Sequence, residues 1–196
     1  MIRRALGLFL PPALGIVALQ GGGAVQGRVF DDRLPAAGAV VFLEGEAHGG
    51  SGPSERAAVV DQVDLRFVPR VVAVVPGTIV AFPNSDPILH NVFSPPAPGP
   101  GFDLGTYPPG ESRSRRFVET GVHVILCNVH PEMVAYVAVV PTPYYAIADS
   151  AGEFVIRDVP PGRYRLVVWY GRRASAERDL VVNPEGARGL ELELGP

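Results

Sequence analysis

The chain has 196 residues, enough for one or two small domains, and it is rich in proline (21) and glycine (23). Its 17 basic residues are all arginine and stand against 20 acidic ones. Nothing gathers them into the basic patch that nucleic-acid binding requires, which removes nucleic acid from the partners to consider.

Arg3 and Arg4 open the chain, an apolar stretch from Ala5 to Leu19 is broken by Pro11 and Pro12, and the small residues Gly22 and Ala24 follow. This is the pattern of a secretory signal over residues 1–24, too short for a comfortable membrane span. An uncleaved anchor is the alternative. Cleavage leaves 15 arginines against 20 acidic residues, a net charge of −5. No later stretch is apolar enough to cross a bilayer, so a periplasmic or otherwise exported protein without stable membrane insertion is expected. Exported proteins commonly use cysteines in pairs, yet this chain has only Cys127. It cannot make an internal disulfide and needs another explanation.

No long segment has helical periodicity. Short valine-rich runs alternate with turn signals such as Pro76-Gly77, Pro109-Gly110 and Pro161-Gly162, the pattern of an all-β sandwich or barrel. Strands are expected at Val25–Phe30, Ala39–Glu44, Val71–Val75, Thr78–Pro83, Arg113–Val118, Val122–Cys127, Val134–Val140, Glu153–Arg157 and Arg163–Tyr170. The run from Ser94 to Gly101 carries four prolines and fits only an ordered loop, near His90.

The chemistry gathers in Cys127-Asn128-Val129-His130-Pro131-Glu132-Met133. A thiolate, an imidazole and a thioether on one short loop are a soft ligand set, suited to copper rather than to magnesium or calcium. A trigonal His₂Cys site with a weak axial methionine needs one more histidine from elsewhere. His90, in Ile88-Leu89-His90-Asn91-Val92, supplies it. One type 1 copper ion held by His90, Cys127, His130 and Met133 is therefore the expected cofactor site. The metal requires Cys127 as thiolate. His123 shares a strand face with Ile125 and Cys127 but lies four residues back, too far along an extended strand to share the metal, and reads as a partly buried structural histidine. Asn84 reads as a turn former, His48 as an exposed loop residue, and Tyr164 and Trp169, on one late strand, as core of a sandwich flanking the middle of the chain.

Two resemblances follow from these motifs. The middle of the chain, residues 57–141, resembles the cupredoxins, in particular plastocyanin- and amicyanin-like, methylamine-utilisation-type proteins. The resemblance is carried by Phe67-Val68-Pro69, Pro76 to Asn84, His90-Asn91-Val92, Phe102-Asp103-Leu104-Gly105, Gly121-Val122-His123-Val124 and the short C-x₂-H-x₂-M loop. It implies a Greek-key β-sandwich with the four ligands named above. It also implies that Asn91 ties the His90 loop to the cysteine loop; as a residue on its own, Asn91 reads equally as a turn former. The flanks, residues 25–56 and 142–196, resemble the two parts of a carboxypeptidase regulatory-like (transthyretin-like) sandwich. Val25 to Phe30 with Gly38 to Leu43 carry the first part; Asp149 to Ile156 with Val159 to Leu166 carry the second. The cupredoxin would then be an insert in that sandwich, with tandem domains as the alternative.

These readings imply a carrier of single electrons between transient redox partners. Pro131, Val134, Ala135 and Tyr136, with Pro95 and Pro96, are the expected docking surface. A non-catalytic copper-binding structural or recognition module is the alternative. An enzyme is not expected, because the chain offers no second metal cluster, no haem-attachment motif and no hydroxyl–histidine–acid set. The oligomeric state is open.

Overall fold

The computed structural model describes residues 22–45, 52, 57–171 and 173–195, and among them regular structure is all strand, as the turn spacing predicts. Residues 1–21 of the expected signal segment, and His48, lie outside the described residues. The strands before the metal-site region are Gly23–Asp31 (β1), Leu34–Pro35 (β2), Val40–Glu44 (β3), Ala58–Val59 (β4), Asp61–Val63 (β5) and Arg66–Val68 (β6). Next come Val71–Val74 (β7), Thr78–Pro83 (β8), His90–Ser94 (β9), Phe102–Tyr107 (β10), Ser112–Phe117 (β11), Gly121–Leu126 (β12) and Val134–Val139 (β13). The chain ends with Tyr145–Ile147 (β14), Glu153–Val159 (β15), Gly162–Tyr170 (β16), Arg173–Val182 (β17) and Ala187–Leu194 (β18).

The middle strands form one sandwich. A sheet of order β10-β9-β12-β13-β7 faces a sheet of order β11-β8-β4. Val80, Phe82, Val92, Phe117, Ile125 and Val137 fill the space between them. Each fully buried aromatic or aliphatic side chain of this kind contributes about 1.5–3 kcal/mol. Strand β12 alternates as a half-buried strand should: His123 and Ile125 turn inward, while Val122, Val124 and Leu126 are only half-buried. Strand β13 is apolar at every position because it is covered on both faces.

The outer strands form a second sandwich. Strand β1 pairs antiparallel with β15 and parallel with β18, and β3 lies between β14 and β16. Strands before residue 45 thus pair only with strands after residue 144 and with each other. Gly27 permits the close β1–β18 approach, since a Cβ there would sit 2.2 Å from the Leu190 carbonyl oxygen. Strands β17 and β18 went unnamed in the sequence reading, although Leu190, Leu192 and Leu194 are buried between exposed glutamates in strict alternation.

The sandwiches meet through Val40, Ala73, Ala138 and Val140, with Phe42, Val71, Val122 and Trp169 packed around them. Trp169 stacks edge-on against Tyr136, ring centroids 5.2 Å apart. This corrects the expected pairing of Trp169 with Tyr164 in one core. They stand five positions apart on one strand, an odd offset, so they point to opposite faces: Tyr164 into the outer core, Trp169 toward the middle sandwich.

Candidate metal centre

Asn84 directly follows strand β8, and this fully buried side chain organises the turn that delivers His90. Its amide donates to Ile88 O (2.9 Å) and Tyr107 O (3.2 Å), and its carbonyl accepts the N–H of Asp86 (3.1 Å). Asn84 is thus a turn former, but one with its whole hydrogen-bonding capacity committed to the interior.

Asp86 carries the next layer. Its carboxylate accepts the N–H groups of Asp64 (2.6 Å) and Leu65 (2.9 Å), the two positive-φ residues of the β5–β6 hairpin turn. Its Oδ2 also lies 2.7 Å from Nε2 of His90. Burial pushes this carboxyl up, but the Leu65 N–H, the His90 ring and the Asp64 N–H together hold it below the usual carboxylate range. An ionised carboxylate accepts only, so Nε2 of His90 is the nitrogen that donates to it and Nδ1 is the one that faces Cys127 and His130. Beneath His90, its register partner Tyr107 donates to Phe82 O (2.8 Å) and accepts from Gln62 Nε2 (2.6 Å). Burial pushes that phenol up to about 12, so it stays a donor.

Cys127 follows the last residue of β12 and is buried. His130 and Met133 return from a tight turn closed by a 3.0 Å bond from Met133 N–H to His130 O. Nδ1 of His90 lies 4.0 Å from the Cys127 sulfur, Nδ1 of His130 lies 3.9 Å from it, and the two nitrogens are 3.0 Å apart. Among the described residues, this is the one group of three His, Cys, Asp or Glu side chains with metal-binding spacing. An ion about 2.0 Å from each nitrogen and 2.3 Å from sulfur in a trigonal plane would set the nitrogens about 3.5 Å apart and each about 3.7 Å from sulfur. The residues therefore fit such an ion with shifts of a few tenths of an ångström. The donors are one sulfur and two imidazoles with no carboxylate, a set that favours copper over hard cations.

Asn91 links the two halves of the site. Its backbone N–H points at the Cys127 sulfur (3.5 Å), and its Oδ1 accepts the N–H of Asn128 (3.3 Å). Met133 is 1 % exposed and shares the buried cluster of Cys127, Val92 and Phe82. His123 stays apart from this group: its Nε2 pairs with Glu119 O at 3.0 Å and its ring stands edge-on to Phe117. The sequence reading missed Asp86; its one signal was a carboxylate four residues before the candidate ligand.

No protein-family model matches the chain, and no curated protein matches it. Solved structures do resemble it. A purple cupredoxin from Nitrosopumilus maritimus aligns at 24% identity and TM-score 0.38, over 42% of this chain and 99% of that one. A copper-containing nitrite reductase from Thermus scotoductus SA-01 aligns at 25% identity and TM-score 0.42, over 50% of this chain but only 25% of that one. A reduced amicyanin variant aligns at 21% identity and TM-score 0.41, over 51% of this chain and 98% of that one.

Proposed function

We propose that this chain is an exported type 1 copper protein that carries single electrons between transient redox partners. His90, Cys127 and His130 would hold the copper, with Met133 as a weaker fourth ligand. The observation that supports this best is the convergence of two imidazole nitrogens and one thiol sulfur within 3.0–4.0 Å, with the far nitrogen of His90 tied to a carboxylate. Bound copper would supply a one-electron couple between Cu(I) and Cu(II).

The chain's own residues do the rest. Asp86 fixes the tautomer and orientation of His90. The Asn91 N–H supports the cysteine sulfur. Apolar neighbours Val92, Phe82 and Ile125 keep water from the buried side, so the ligands have little room to rearrange when charge changes.

His130 is half-buried, so its outer edge is the short way in and out for an electron. Ile88 (41 % exposed) and Leu89 (54 %) precede His90, and Val129 (48 %) precedes His130, so exposed apolar side chains flank both histidines in the chain. Side chains of this kind suit the small interfaces of transient redox encounters. Part of the expected docking surface is corrected here. Pro131, Pro95 and Pro96 are exposed and Val134 is half-buried, but Ala135 and Tyr136 are buried, one in the core and one under Trp169.

For the flanks we propose the two parts of one carboxypeptidase regulatory-like sandwich, 25–56 and 142–196, with 57–141 inserted between them. The pairing of β1 with β15 and β18, and of β3 with β14 and β16, supports this.

The deciding experiment is the absorption spectrum of the copper-loaded protein during a redox titration. An intense visible thiolate-to-copper band that bleaches on uptake of one electron and returns on oxidation is expected. Copper binding without that band, or without reversible reduction, would sink the electron-carrier reading.

A further inference from the structure

The Phe102-Asp103-Leu104-Gly105 motif has no role in the ligand set, yet it is built against it. Strand β10 is an edge strand paired with β9, and its register shifts between Asp103 and Thr106, so Leu104 and Gly105 form a bulge. Gly105 takes a φ of +74°, which favours glycine, and Arg113 donates to the Leu104 carbonyl from the other side. The bulge turns Asp103 toward Asn91. One oxygen, Oδ1, accepts both the Asn91 side-chain amide and the Gly105 N–H, each at 2.7 Å.

This contact settles an ambiguity in Asn91. An asparagine side chain can present either end of its amide, and its two ends differ only in what they bond. A carboxylate can only accept, so the NH₂ end must face Asp103. The carbonyl end then faces Asn128, where it accepts the backbone N–H at 3.3 Å. A flipped amide would set oxygen against carboxylate and NH₂ against N–H, two repulsive pairings in place of two bonds. Asn91 is 2 % exposed, so water is poorly placed to compensate.

We propose that Asp103 is a positioning residue for the metal loop: it fixes the amide orientation of Asn91 and thereby holds the backbone at Asn128, next to Cys127. The consequence for copper rests on the function proposed above; the orientation of Asn91 does not.

The test uses Asp103→Ala and Asp103→Asn, the second keeping an acceptor oxygen without the charge. Asp103 is exposed on an edge strand, so neither change opens a cavity. In the metal-free protein, hydrogen exchange at the Asn128 amide should be about 5- to 10-fold faster in Asp103→Ala, the loss of roughly one hydrogen bond, and close to wild type in Asp103→Asn. In the copper-loaded protein, Asp103→Ala should shift the thiolate-to-copper band and weaken copper binding about 10-fold or more, with Asp103→Asn restoring most of both. In an Asn91→Ala background the Asp103→Ala change should add almost nothing.

Unchanged exchange at Asn128 in Asp103→Ala would overturn the proposal. So would an undiminished effect without the Asn91 side chain, or an Asp103→Asn protein that behaves like Asp103→Ala. A wild-type protein that takes up no copper would defeat the functional reading alone, since the metal-free exchange would still decide the role of Asp103.

Discussion

The carboxylate of Asp86 and the imidazole of His90 stand four residues apart in the chain and 2.7 Å apart in space, Oδ2 to Nε2, both buried. The same carboxylate holds the two N–H groups of the Asp64-Leu65 turn. One side chain thus fixes a neighbouring hairpin and selects which nitrogen of His90 is free for a metal.

Asp86→Ala should therefore have two separable effects. Leaving two backbone donors and one ring N–H without their acceptor should destabilise the metal-free protein by about 1–3 kcal/mol in a denaturant melt. Copper affinity should fall about 10–100-fold, because His90 loses its orienting partner. A melt unchanged from wild type would show that the hairpin turn does not depend on this carboxylate.

Cys127→Ser keeps the shape of the side chain but removes the soft donor. The intense thiolate-to-copper absorption should vanish, while the circular dichroism of the β-sandwich stays as in wild type. If the band survives, copper is bound by another group and the ligand assignment is wrong.

Met133→Leu replaces one buried apolar side chain by another of similar volume, so stability should change by less than about 1.5 kcal/mol. Axial ligands tune the potential more than they hold the metal. The variant should still take up copper, with the reduction potential raised through loss of a donor to Cu(II). Voltammetry decides: an unchanged potential removes Met133 from the site.

Trp169 is the single tryptophan of the chain, so its fluorescence reports on the contact between the sandwiches. Trp169→Ala should cost about 1–3 kcal/mol, less than the loss of a fully buried tryptophan because Trp169 is only half-buried. The copper spectrum should be unchanged, since this contact lies on the sheet face away from Cys127. A shifted thiolate band would instead show that the outer sandwich sets the geometry of the metal loop.

Much of the candidate site was legible because its proposed ligands are close in sequence. Cys127, His130 and Met133 share one turn, and a turn of this length leaves their side chains few directions to point. His90 could be added because the donor set was one imidazole short. Strands β12 and β13 were legible as short valine-rich runs, one with a wet face and one buried on both faces, whereas β18 alternates as strictly as β12 and was not named. Tyr164 and Trp169 look equivalent as aromatic residues on one strand, yet an odd spacing sends them into different cores.

By itself the sequence determined the candidate donor set, the all-β class and the order of the proposed ligands, since these follow from residue type, from local spacing and from the period of apolar residues. Only the tertiary structure decided that Asp86 faces the outer nitrogen of His90 and that Asp103 accepts from the Asn91 side-chain amide. The sequence left open whether β1 and β3 pair with the strands after the middle region or stand apart from them; the tertiary structure pairs both with strands beyond residue 144. Such contacts depend on strands brought together from distant parts of the chain and on a bulge that turns one side chain by a single register step. No local pattern encodes them, because the free energy that selects them comes from burying two cores at once rather than from any one segment.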